Sequence, residues 1–402
     1  MPVTRYRLDV MAAVSALALL VLPGCGSGGS TSAPAKASPP SPASQTYASQ
    51  STGLDSRGGT MRTRVLLAAL VATLALATAA PAAAGQEHGT RIVWTQVLGN
   101  QGTTARIVSA RPDGSGLHAL THPASGAFDL NAVISPDGSR VVFERDFADG
   151  STRIMIVGAD GRGAHVVDLG CVDPCAADLD PSWTPSGRRI VFTRVVGPFD
   201  QINQSARSAV LHTANLDGSG VRRLSQPGID GVFEDYHARF APGGRYLIFV
   251  RIRNRDIHSA VFRMGADGSQ VRQLTRWRLD ADTPDLSPAT HGPTKDLVVF
   301  ETFGHGPPKG SQSDVASVPA TCFPLADCAS KIRFVTHNGS GPATSFNPSW
   351  SPDGRRIAFT NVLPGPDGQV ADIWTMLPNG NGRQQVSHSP RVEFRPDWGV
   401  AS

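Results

Sequence analysis

The chain has 402 residues, 40% hydrophobic and 17% charged, with 42 glycines and 31 prolines: long enough for a buried core, and turn-rich in a way that favours many short strands. The net charge of +4 lies wholly in residues 1–85, where six Lys/Arg face Asp9 and Asp55; the remainder holds 31 basic and 31 acidic side chains. A body without net charge gives no electrostatic reason to expect nucleic acid as a partner.

In chain order, residues 1–60 begin with Arg5, Arg7 and an apolar run from Val10 to Leu22. The "LPGC" that follows resembles the lipobox of bacterial lipoproteins, with Cys25 as the lipidated residue. A Gly/Ser/Pro/Ala tract to residue 60 is too poor in apolar side chains to fold. A second export signal then appears: "MRTRVLLAALVATLALATAAPAAAG" combines Met61, two arginines, an apolar stretch and the small residues Ala82, Ala83 and Ala84 of a cleavage site. One chain rarely needs two. Residues 61–84 are read as a secretory signal peptide and residues 1–60 as an over-extended gene start, the alternative being a lipoprotein anchored through Cys25. Both versions export residues 85–402 to the cell envelope, the periplasm or the outside, and the membrane is a partner only through that anchor.

Cys171 and Cys175 are four apart, Cys322 and Cys328 six apart, without the spacing or histidine company of a zinc site. Two local disulfides are expected, as suits an exported protein.

From residue 89 the chain repeats itself. "NAVISPDGSRVVFER" from Asn131, "DPSWTPSGRRIVFTR" from Asp180, "HARFAPGGRYLIFVR" from His237, "TPDLSPATHGPTKDLVVFET" from Thr283 and "NPSWSPDGRRIAFTN" from Asn347 are five copies of one phrase. A sixth is split between "RPDWGV" from Arg395 and "GTRIVWTQ" from Gly89. Between copies recur short apolar stretches followed by Asp-Gly or Asn-Gly, as in "RIMIVGADGRGAHVVD", each reading as strand, turn and strand. Each unit therefore has four strands, A to D. In the fifth unit the loop carrying Cys322 and Cys328 replaces the C–D turn. Such repetition predicts an all-β, six-bladed β-propeller of four-stranded antiparallel blades, closed by pairing of the N- and C-terminal strands.

Ser-Pro-Asp-Gly sets a tight hairpin, and placing Asp137 at its apex pairs Ser135 with Ser139, Val133 with Val141, Asn131 with Phe143 and Asp129 with Arg145. Sixteen residues likewise separate Asp178 from Arg194 and Asp235 from Arg251, whereas Ser345 is matched by Asn361. Positions that change together read as cross-strand ion pairs and not as a metal or substrate ring. Trp183, Trp350 and Trp398 share one register position with Ile134, Phe240 and Leu286, an apolar plug between blades.

The phrase "PSWSPDGRRIAFT" with its "ADGSG" turns resembles the TolB-like, WD-repeat-like six-bladed propellers of the bacterial envelope, over essentially all of residues 89–400. The resemblance implies fold more strongly than function. TolB itself binds partner proteins in the Tol-Pal system without catalysis and carries an extra α/β domain before its propeller. Gly85 to Thr90 leave no room for that domain between cleavage site and first strand. Similar blades also occur in prolyl oligopeptidase-type peptidases, but this chain has no G-x-S-x-G elbow.

The long B–C and D–A loops from Val195, from Phe303 and around Cys171 mark the expected binding face. Asn131, Asp180, His237, Thr283, Asn347 and Arg395, read as the first residues of the inner strands, should ring the channel mouth there and are the candidate ligand-binding residues. "DADTPD", with Asp280, Asp282 and Asp285, lacks the glycine and the terminal glutamate of a calcium loop and reads as a solvated acidic loop. His118 and His122 read as surface residues. No catalytic set, metal site or cofactor is expected. The expected function is that of a monomeric, non-catalytic exported protein binding a protein or small ligand; the alternative is a hydrolase or lyase acting on a saccharide or peptide at the channel mouth.

Overall fold

The computed structural model describes residues 89–99, 102–197, 208–227, 231–304, 312–339, 341–365 and 368–402. The two export signals, Cys25, and most of the long segments after Val195 and Phe303 lie outside the described residues.

Alternating patterns and Gly-containing turns produce 24 strands among the described residues. They are β1 (Thr90–Leu98), β2 (Thr104–Ala110), β3 (His118–Ala119), β4 (Phe128–Ile134), β5 (Arg140–Asp146), β6 (Thr152–Gly158), β7 (His165–Val166), β8 (Cys175–Trp183), β9 (Arg189–Val196), β10 (Ser208–Asn215), β11 (Arg222–Arg223) and β12 (Phe233–Phe240). The second half holds β13 (Tyr246–Arg253), β14 (His258–Gly265), β15 (Arg272–Gln273), β16 (Asp282–Leu286), β17 (Leu297–Phe303), β18 (Ser313–Pro319), β19 (Arg333–Phe334), β20 (Thr344–Trp350), β21 (Ile357–Gly365), β22 (Gly368–Met376), β23 (Gln384–Gln385) and β24 (Glu393–Val400). A short helix, α1 (Leu325–Lys331), occupies the loop of the second disulfide.

Strands β8–β11, β12–β15, β16–β19 and β20–β23 make four four-stranded antiparallel sheets. The other eight strands form one mixed sheet, ordered β24-β1-β2-β4-β5-β6-β7 with β3 on β2. Hydrogen bonding thus draws five sheets and not the expected six, because β2 and β4 meet in a single parallel pair, Ala105 with Phe128. Strand β24 pairs with β1 from Thr90 opposite Val400 to Gln96 opposite Glu393, so the split sixth phrase is joined in space.

The hairpin register corrects the sequence-based one. Ser135 pairs with Arg140 through its N–H (2.8 Å), and Gly138 N–H closes the turn on Ser135 carbonyl (2.8 Å), so Val133 lies opposite Val142. A bulge at Asn131–Ala132 absorbs the one-residue shift, and Asp129 faces Arg145 as expected. The same bulge recurs in β8, β12, β16, β20 and β24.

Arg145, Arg194 and Arg251 donate fork-to-fork to Asp129, Asp178 and Asp235, all buried, at 2.5–3.0 Å. In the unit without the ion pair, Ser345 Oγ donates to Asn361 (3.0 Å). Burial pushes the three aspartates upward while the arginine hydrogen bonds oppose it.

The core lies between the sheets. Trp183 is 5% exposed, packs with Val133, Val142 and Ile156 of the mixed sheet, and donates its indole N–H to Val133 carbonyl (2.9 Å). Turn glycines make the closest approaches: a Cβ on Gly218, Gly268 or Gly380 would fall inside the backbone carbonyl of Asp168, Leu224 or Val335 in the preceding units. Gly114 meets Val386 of the β20–β23 sheet in the same way, first unit against last.

Two outcomes follow. Asp178→Ala removes the carboxylate partner of the half-buried Arg194, which keeps only its hydrogen bond to the Leu169 carbonyl, and should cost about 2–3 kcal/mol, less than a fully buried pair, read as a lower melting temperature in circular dichroism. Deleting residues 393–402 leaves β1 paired only with β2 and should abolish the sharp cooperative melt; an unchanged melt would show that the β24 pairing carries no stability.

Candidate functional site

All six candidate residues line one cavity of about 60 Å³, together with the prolines that follow four of them. They occupy mid-strand bulges, not strand starts, except Thr283 near the beginning of β16. Each has a left-handed backbone: Asn131, Asp180, His237, Thr283, Asn347 and Arg395 have φ between 41° and 57°. Asn, Asp and His tolerate that region better than most residues, so backbone geometry accounts for part of the ring's polarity. At roughly 1–2 kcal/mol each, the six conformations persist because neighbouring units hold them. Asp180 N–H donates to Glu144 Oε2 (2.8 Å), Asn347 N–H to Glu301 Oε2 (2.6 Å) and Arg395 N–H to Thr360 Oγ1 (3.1 Å).

The side chains are wired to one another. Asn131 Nδ2 donates to Asp180 Oδ1 (2.9 Å), and Arg395 donates to Asn131 Oδ1. His237 stands between Asp180 (Nδ1, 3.4 Å) and Asp282 (Nε2, 3.7 Å). A deeper layer centres on Arg239, which donates to Ser182 Oγ (3.1 Å) and approaches Asp285 (3.9 Å) and Asp397 (3.4 Å) from three different strands. Those carboxylates accept the backbone N–H of Trp350 (2.7 Å) and Ile134 (2.9 Å).

No protein-family model matches the sequence. A 54-residue segment is 37% identical to the Tol-Pal system protein TolB of Anaeromyxobacter dehalogenans; it spans 13% of this chain and only 12% of that protein. In three dimensions the chain superposes on TolB from Acinetobacter baumannii with a TM-score of 0.56 at 18% identity, covering 78% of this chain and 67% of that one. The fold is that of a TolB-like β-propeller. Hydrazine synthase from Kuenenia stuttgartiensis superposes with a TM-score of 0.57 at 12% identity, over 78% of this chain and 47% of that one. Function therefore rests on the site and not on the propeller.

In this TolB-like propeller the axial cavity combines groups displaced in opposite directions. Burial lowers His237 to about 4, with Asp180 opposing, so its imidazole is neutral at pH 7. Burial, then Glu301, raises Asp282 to about 8; burial, then Asp180 and Asp146, raises Glu144. Asp397 rises to about 6 by burial, with Arg239 opposing.

Asp282 and Asp285 are thus not a solvated loop. They lie on β16 and face the propeller's inner cluster, while Asp280 pairs with His258 at 2.7 Å. Sequence reasoning missed Glu144, Glu301, Arg239 and Asp397. The last two carried a signal: two residues after the bulge the units have Val133, Ser182, Arg239, Asp285, Ser349 and Asp397, one cation against two acids. His118 and His122 are exposed, as expected. Cys171, Cys175 and Asp178 form one grouping with metal-like spacing, but the cysteines are joined in a disulfide, as are Cys322 and Cys328.

The signs of linkage follow from these directions. Asp282 holds a proton in the folded state between its unfolded value of 3.8 and about 8, so its contribution to stability falls as pH rises through that window. His237 excludes one between about 4 and 6.5, so its contribution is lost as pH falls. The melting temperature should fall as pH rises from 6 to 8 through Asp282, and Asp282→Asn should flatten that fall.

Proposed function

We propose that residues 85–402 are an exported six-bladed propeller, closed by β24 on β1, that binds a protein in the cell envelope or outside the cell and does no chemistry of its own. Six blades are supported by the six identical bulges and by the packing of β24, β4, β8, β12, β16 and β20 each on the next, with β20 on β24. The single Ala105–Phe128 pair then marks the boundary between two blades and not sheet continuity. Export is supported by two disulfides.

The size and wiring of the axial cavity carry the functional reading. About 60 Å³ holds a few waters, whereas drug-sized ligands take pockets of roughly 300–1,000 Å³. A partner therefore rests over the mouth, on Asn131, Asp180, His237, Thr283, Asn347 and Arg395 and the surrounding B–C and D–A loops. The TolB likeness supports a protein as that partner.

One observation favours the enzyme alternative. A neutral imidazole beside a protonated carboxyl, His237 with Asp282, is a base and an acid held apart by their surroundings. The double variant Asp180→Ala/His237→Ala separates the readings, assayed on mature protein with its melting temperature checked. Loss of a partner captured from envelope extract, with no turnover by wild type, is the expected result. Turnover of a saccharide or peptide that the variant lacks would transfer the assignment to catalysis, and undiminished capture would remove the mouth from the interface.

A further inference from the structure

The β12–β15 sheet carries a second cavity, of about 330 Å³, at the end of its strands where the A–B and C–D turns lie. Arg245, Tyr246, Arg263, Gln270 and Arg272 line it, with Asp267 at the edge, and it shares no residue with the axial cavity. This volume lies within the range of small-molecule sites, roughly 300–1,000 Å³.

Its origin is a change at three positions of the repeat. In three other units an arginine at the start of strand B fills the equivalent space and ties strand C to the C–D turn. Arg91 donates to Ser109 Oγ (2.7 Å) and Gly116 carbonyl (3.0 Å), Arg189 to Thr213 Oγ1 (3.1 Å) and Gly220 carbonyl (2.9 Å), and Arg356 to Thr375 Oγ1 (2.8 Å) and Gly382 carbonyl (2.8 Å). The β12–β15 sheet has Tyr246, Arg263 and Gln270 at those places. The Tyr246 hydroxyl turns away to Asp296 (2.6 Å). Arg263 lies over the Tyr246 ring at 3.9 Å and gives one N–H to Ala320 carbonyl (3.0 Å). Gln270 keeps φ 54° where the other units with this turn have glycine at 59–68°, a side chain held in a glycine conformation at the rim.

Two more guanidiniums face the opening. Among the described residues Arg245 makes no ion pair or side-chain hydrogen bond. Arg272 lies over Phe323 at 4.9 Å, and that ring is 63% exposed on the loop closed by Cys322 and Cys328. Asp267, which accepts from Ser269 N–H (2.9 Å), is the one acid among the lining residues, and Asp296 stands behind Tyr246, so the three arginines outnumber the carboxylates near them. Three cations around one concavity repel each other until an anion lies between them. Guanidinium forks match the oxygens of carboxylates and phosphates bidentately, and the exposed Phe323 ring beside Arg272 offers apolar contact to a carbon skeleton, which an organic acid has and inorganic phosphate lacks.

We propose that this cavity is a binding site for a small polycarboxylate, an organic acid whose carboxylates are taken by Arg245, Arg263 and Arg272 and whose carbon skeleton lies along the Arg272–Phe323 edge. Isothermal titration calorimetry of the mature protein with citrate at low ionic strength is the test. One site is expected, weakened about tenfold or more by Arg245→Gln and by Arg272→Gln, the scale of one lost charge-assisted pair. Both residues are exposed, so the melting temperature should not move. Arg188→Gln, the exposed equivalent of Arg245 in the β8–β11 sheet, should leave binding unchanged. Absent binding, equal weakening by Arg188→Gln, or tighter binding of inorganic phosphate than of citrate overturns the proposal. None of these results bears on the channel mouth.

Discussion

The structure depends on how the inner strands satisfy one backbone group. Each of these strands bulges at a residue in the left-handed region, which takes an amide out of its own ladder. A buried amide needs a partner. For Asp180, Asn347 and Arg395 that partner is a side chain of the preceding unit: Glu144, Glu301 or Thr360. Elsewhere the bond runs the other way, with Thr95 and Thr193 hydroxyls donating to the carbonyls of Asp129 and Asp235 in the next unit. A four-stranded unit is therefore incomplete alone, in its hydrogen bonds as much as in its apolar faces.

The same constraint shapes the axial cavity. Residues that tolerate positive φ are also polar, so the strands that hold the units together bring Asn, Asp and His side chains to one place. Burial then displaces their protonation equilibria, and cross-links such as Asn131 to Asp180 and Arg239 to Ser182 stiffen the lining. Perturbed groups here arise first from architecture. Any recognition at the mouth uses a surface that the fold had already made rigid.

Repetition supplies an internal control for what is not architectural. Where Arg91, Arg189 and Arg356 each make the same pair of hydrogen bonds, the position serves packing. Where Tyr246, Arg263 and Gln270 replace that pattern together, the sheet keeps its strands and turns but opens a basic cavity. Departure from the repeat, and not the repeat itself, points to a ligand.

Much of this was legible in the chain. Period-two strands, Gly-containing turns and the sixteen-residue spacing of Asp129 and Arg145 are local, and so were enough to give the four-stranded units, the ion pairs and the pairing of the two ends. The register within each hairpin was not, because the bulge at Asn131 is held by contact between units and leaves no gap in the sequence. Nor were Glu144 and Glu301 legible as parts of the axial cluster: they act across units, on partners tens of residues away, and nothing in a single repeat says which neighbour it will meet. Only tertiary packing decided which polar side chains became buried, and hence which of them changed their affinity for protons.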